Sequence, residues 1–196
     1  MAAVRHTCRD AVQGALTGTA SSGVAGEDLV RDDVVGLADG ELAAYLQMRT
    51  DVVTTLVAEL VAAPGDGTRF CFQDPTGSVK GYATGDPHGT PGVEAGWQFG
   101  VDAASIAEAV HDYRVLGYVR DAARLDLEVR AVRERLGDTR LGCVLRPSPP
   151  DSWDAENLAA KLGVLSSLSI DDVGFYHYGL LPGSRLDMLS DALHGR

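Results

Sequence analysis

From residue 69 onward, short apolar runs alternate with segments whose apolar residues recur every three to four positions. The runs are RFCFQ (69–73), YRVLGY (113–118), RLGCVLR (140–146) and DVGFYHY (172–178). Bounded by turn formers, each reads as a buried strand. Between the second and third, Leu125, Val129, Val132 and Leu136 share one face of a helix. Between the third and fourth, Leu158, Leu162 and Leu165 mark another. That helix follows Pro149-Pro150, with Asp151 or Ser152 as its expected N-cap. Ser184, with Asp187 three residues on, opens a last short helix reaching Leu193, and a short helix is expected at 103–110. Upstream, Leu42, Tyr45, Leu46, Val52, Val53, Leu56, Val57 and Leu60 predict a helix over 40–62, stopped by Pro64-Gly65. Residues 2–16 form a further candidate helix, followed by a Gly/Ser/Thr-rich loop over 17–26.

Strand–helix repetition predicts βαβ units and a parallel sheet. The last three runs begin about 30 residues apart, and a (β/α)8 barrel of roughly 250 residues allots about that length to each unit. Residues 69–196 therefore hold four such units. The fold class is α/β, (β/α)8-barrel-like: four C-terminal βα units, half a barrel, preceded by helices. The whole of 1–196 reads as one partial barrel domain, with a helical segment over 1–66 and the four units over 67–196. Four parallel strands do not close on themselves, so two edges and an apolar face need cover.

Composition narrows the class of partner. An apolar content of 45% and a charged content of 23% fit a globular chain rather than a disordered one. A net charge of −11 argues against nucleic acid or anionic membrane as the main partner. Charges interrupt every apolar stretch before the roughly 20 residues needed to span a bilayer. The start, MAAVRHTCRDAVQGAL, lacks the apolar core of a secretory leader. The three cysteines, Cys8, Cys71 and Cys143, are odd in number and show no CxxC spacing. Cytoplasmic placement follows as the expectation. Cys71 and Cys143 lie inside strand runs, where small buried hydrophobes are expected. No G-x-G-x-x-G or Walker pattern follows a strand, and Asp86 with His88 alone makes no metal set, so no cofactor or metal is expected.

DDVGFYHYGLLPGSRLDML, YRVLGYVRD, RLGCVLRPSPPD and the WQFGVD entry to a short helix resemble the C-terminal half of glycoside-hydrolase-like (β/α)8-barrel proteins. The resemblance covers about residues 40–196. It implies a hydrolase-like protein acting on, or binding, a carbohydrate or similar polar small molecule. It also implies that strands one to four lie outside this chain. Retaining enzymes of this kind carry one carboxylate at the end of strand four and another at the end of strand seven, about 5–5.5 Å apart. Here the run at the strand-seven position ends in Leu145-Arg146-Pro147, with neither Glu nor Asp. The standard pair is not assembled from this sequence. The alternative is a truncated or non-catalytic half-barrel that needs a partner, either a homodimer or a missing N-terminal half.

In such folds the chemistry sits beyond the carboxyl ends of the strands. Gln73 and Asp74 end the first run. Asp74 is a candidate catalytic acid or base, and equally a turn former before Pro75. Tyr118 ends the second run, as a sugar-stacking ring or a packing residue. Arg146 ends the third, as an anion clamp or an ordinary ion-pair partner. Tyr176, His177 and Tyr178 end the fourth. Period-two alternation sets Val173, Phe175 and His177 on one face and Gly174, Tyr176 and Tyr178 on the other. His177 is the second catalytic candidate, since imidazole titrates near neutrality. Trp97, in the long connection from Gln73 to Val101, is a candidate cleft cap or loop anchor. Gln73, Tyr118, Arg146, Tyr176, Tyr178 and Trp97 make up the expected substrate contacts.

Overall fold

The computed structural model describes residues 40–65, 67–77 and 89–194. The expected helix over 2–16, its following loop, Cys8, Asp86 and His88 lie outside the described residues. The elements run α1 (Gly40–Ala62), β1 (Cys71–Asp74), a 3-10 segment (Gly92–Gln98), α2 (Ala103–Ala109), β2 (Asp112–Leu116) and α3 (Ala122–Leu136). They continue with β3 (Arg140–Leu145), α4 (Ala155–Ser167), β4 (Asp172–Phe175), a 3-10 turn (Tyr178–Leu180) and α5 (Gly183–His194).

The strands pair in the order β1-β2-β3-β4, every pair parallel. Alternate strand positions feed one core. Phe72, Tyr113, Val115, Leu141, Cys143, Leu145, Val173 and Phe175 all pack into it against the helices. Four leucines and valines of α3 fall on the face that meets them: Leu125, Val129, Val132 and Leu136 are buried at steps of four, three and four. Asp102 caps α2 by accepting from Ser105 N–H at 2.8 Å, and Asp154 caps α4 by accepting from Asn157 N–H at 2.8 Å. The cap therefore falls at Asp154, not at Asp151 or Ser152. Those two residues are instead folded into a turn on the Ser148 carbonyl and buried.

The remaining strand positions form a second, open face. From its N-terminal end, one row holds Cys71, Asp112 and Arg140, and the next holds Gln73, Arg114, Gly142 and Asp172. Arg114 crosses Gly142 to pair with Asp172. Gly142 eases this crossing, since a Cβ there would sit 3.0 Å from Arg114 Cγ and push that side chain aside. Then come Leu116, Val144 and Gly174. Cys71 lies on this face and is exposed, contrary to its expected burial, whereas Cys143 points into the core. Burial pushes the Cys143 thiol up to about 12.

Sequential parallel strands with the core on one face match consecutive units of a (β/α) barrel. A doubly wound sheet reverses its strand order and carries helices on both faces. The architecture is thus α/β with a four-stranded parallel sheet and alternating helices, consistent with half a barrel. Outside the sheet, α1 packs Leu42, Leu46, Val53 and Val57 inward but leaves Tyr45, Met48, Val52, Leu56 and Leu60 exposed. Its apolar pattern, read as one stripe in the sequence, is two adjacent faces, and only one has a partner among the described residues. No described helix is long and apolar enough to cross a membrane.

Candidate functional site

Continuing the strand register two residues beyond Leu116–Val144 and one beyond Leu145–Phe175 brings Tyr118, Arg146 and Tyr176 into one row. All three project on the open face at the carboxyl rim of the sheet, because their neighbours Gly117, Leu145 and Phe175 turn to the core. The Arg146 guanidinium lies over the Tyr118 ring, 5.1 Å from its centroid. The Tyr118 and Tyr176 rings are 5.9 Å apart and tilted by 37°. Tyr118 is buried, Tyr176 is 48% exposed, and the Arg146 side chain is about a third exposed. His177 packs edge-on against Tyr176 at 4.2 Å. The peptide between Tyr176 and His177 is cis, and β4 has already ended at Phe175. With β4 ending at Phe175, the strand expected through Tyr178 stops three residues early. Tyr178 instead begins a 3-10 turn and is highly exposed.

A buried polar group lies beneath the rim. Arg146 Nε donates to Asp151 Oδ2, and Asp151 is fully buried. Lys161 of α4, also fully buried, donates to the Asp151 carbonyl and, at 3.3 Å, to Ser152 Oγ. Burial pushes the Lys161 ammonium down to about 8, against the opposing pull of Asp151 and Asp121. Above about pH 8 the folded chain releases this proton, while the unfolded chain holds it until about 10.4. Within that window the unfolded state binds more protons, so the contribution of Lys161 to stability rises with pH. The difference in urea midpoint between wild type and Lys161→Met is expected to move in favour of wild type from pH 7.5 to pH 10. A pH-independent difference would contradict this buried, proton-shedding lysine.

The other sequence candidates fall elsewhere. Gln73 shares the open face but sits lower, in the row of Arg114. Asp74 turns to the core side and is buried, with Oδ1 accepting from Thr76 N–H at 2.8 Å. Burial pushes its carboxyl above the usual range, and Thr76 and the Tyr113 hydroxyl do not offset it. Asp74 thus closes β1 with an Asx-type turn and faces away from the rim row. Trp97 lines a cavity of about 450 Å³ with Thr54 of α1, Glu94, Asp102 of α2 and Arg135 of α3, and no rim residue shares that cavity. Comparison with protein-family models, with curated proteins and with solved structures gives no match. Among the described residues no group of three or more His, Cys, Asp or Glu is placed to hold a metal.

Sequence reasoning missed Trp153, Lys161 and the clamp made by Asp151. Trp153 is 53% exposed on the β3–α4 loop, and its carbonyl accepts from Arg185 of α5 at 2.8 Å. Its signal was present: an aromatic just beyond a strand run, as for Tyr118. Lys161 gave none, because a lysine between apolar helix positions normally reads as solvated. The rim can stack a flat or saturated ring on tyrosine, present fixed N–H donors beside it, and keep those donors oriented from below.

Proposed function

We propose that this chain binds the ring of a carbohydrate or similar polar small molecule at the carboxyl rim of a (β/α)-barrel half. The observation that carries this reading is the row Tyr118–Arg146–Tyr176, in which a guanidinium held by a buried carboxylate lies over the Tyr118 ring, and that ring packs against Tyr176. Tyr176 offers the accessible stacking surface. Arg146 offers hydrogen bonds whose direction is set before the ligand arrives, which lowers the ordering cost of binding.

The reading is of recognition rather than glycosidic cleavage by double displacement. That mechanism needs two carboxylates with room to act on one bond. The carboxylate in contact with this cluster is Asp151, and it is engaged by Arg146. Asp74 turns to the other side of the sheet.

Calorimetric titration with a panel of oligosaccharides tests the reading. Tyr176→Ala removes a half-exposed ring whose ring contacts are Tyr118 and His177, and circular dichroism checks that folding is retained. Binding of every ligand in the panel is expected to weaken by roughly tenfold, the order of a lost stacking and burial contribution of about 1–2 kcal/mol. Unchanged affinity in Tyr176→Ala would remove the rim from consideration.

A further inference from the structure

The structure assigns a charge to the ligand: we infer that the rim is built for a sugar ring carrying a carboxylate, a uronate, whose two oxygens meet the Nη1–Nη2 edge of Arg146. This inference rests on the reading above and names its substrate class. It follows from which edge of the guanidinium is left open. Nε is taken by Asp151 Oδ2. Neither Nη atom has a hydrogen-bond partner among the described residues. One flat side of the group lies on Tyr118. The group is therefore fixed on one edge and one face, and what remains is a pair of parallel N–H donors beside the exposed Tyr176. Two parallel donors match the two oxygens of a carboxylate, whereas a single sugar hydroxyl uses one of them.

The surroundings keep that edge available. Asp151 is fully buried and does not swing out to compete, because its own backbone carbonyl is held by Lys161. Lys161 also binds Ser152 and so fixes the whole turn that carries the clamp. Arg146 is paired with Asp151, and Lys161 stands in the field of Asp151 and Asp121, so each acid here faces a cation. Asp151 and Lys161 act here as positioning residues and do not touch the ligand.

The experiment is a matched titration at pH 7 and low salt. Oligomers of glucuronate, galacturonate and mannuronate are compared with their methyl esters, which keep the ring and lose the charge. For at least one of the three configurations, wild type is expected to bind the acid about tenfold or more tighter than the ester, the scale of a charge-assisted hydrogen bond. In Arg146→Gln that preference is expected to fall below about twofold. Arg146→Lys is expected to lose most of it too, since an ammonium offers no bidentate edge. Tyr176→Ala is expected to weaken acid and ester alike and leave their ratio unchanged. If wild type binds acid and ester equally while Tyr176→Ala weakens both, the carboxylate inference is overturned and the ring-binding reading stands. If no member of the panel binds, or Tyr176→Ala changes nothing, the ring-binding reading falls and this inference with it. The wild-type comparison alone decides the point should an Arg146 variant fail to fold.

Discussion

Glu128→Ala is expected to lower the free energy of unfolding by about 3–5 kcal/mol, the cost of breaking a buried ion pair by removing one partner. Arg124, one turn earlier on α3, is 1% exposed. Its Nε donates to Glu128 Oε1 at 2.8 Å, and its Nη2 donates to Glu128 as well as to the Thr90 carbonyl. Nη1 reaches the Gly89 carbonyl at 3.2 Å. The other Glu128 oxygen accepts from Gly92 N–H at 2.7 Å. The pair thus fastens the end of the long β1–α2 connection to the helix layer. Alanine removes the Glu128 carboxylate from Arg124 and the acceptor from Gly92 N–H, both away from water. Domains of this size are stable by only about 5–15 kcal/mol, so the loss is a large share of the total. Urea unfolding followed by circular dichroism measures it. Asp126→Ala is the internal control, because Asp126 pairs with Arg130 on the solvent side of the same helix. That variant is expected to leave the midpoint unchanged. Equal effects from the two substitutions would contradict the distinction drawn between buried and exposed pairs.

Gly117→Ala is expected to cost about 1–3 kcal/mol through overpacking, and to weaken ligand binding as well. A Cβ there would lie 2.7 Å from Cys143 Sγ, 2.8 Å from Leu125 Cδ1 and 3.1 Å from Leu145 Cδ2. All three side chains are fully buried, so none has open space to retreat into. The chain just past β2 must then lift from the core at the residue that precedes Tyr118. Tyr118 carries the ring beneath Arg146, so the same displacement loosens the rim. Adding Cys143→Ala to Gly117→Ala removes the nearest obstacle. The double variant is expected to be less destabilised than the sum of the two singles, the sign of a shared packing site. Strict additivity would show that the glycine is not required by contact with Cys143.

The architecture was largely legible because it rests on periodicity. The bounds of α1 follow directly from the apolar steps between Leu42 and Leu60; β3 and β4 fall inside their apolar runs, while β1 ends one residue past its run and β2 begins one residue before its own. The errors have local causes. Asp151 and Ser152 match an N-cap by type and by their place after two prolines, yet Asp154 caps the helix. The turn on Ser148 spends Asp151 on Arg146, a partner invisible in a linear reading. Cys71 and Cys143 look alike in sequence, but register sends one to the open face and the other to the core.

The rim was partly legible. Tyr118, Arg146, Tyr176 and His177 were found by asking which residues stand just past a strand, and they do meet. Asp74 and Trp97 were selected by residue type and position near the same loop. Pleat alternation sends Asp74 to the opposite face, and the 3-10 segment carries Trp97 into a cavity between helices. Which edge of a guanidinium stays open is a property of packing, with no linear signal at all.

The most direct test of the central claim is an amide shift map recorded while the saccharide panel is titrated into the labelled protein. The account predicts the largest shifts at 117–120, 146, 148, 153 and 176–178, the segments that carry the rim row and Trp153. Largest shifts at 50–55 and 94–105, around the cavity of Trp97, or along the exposed stripe of α1, would contradict it.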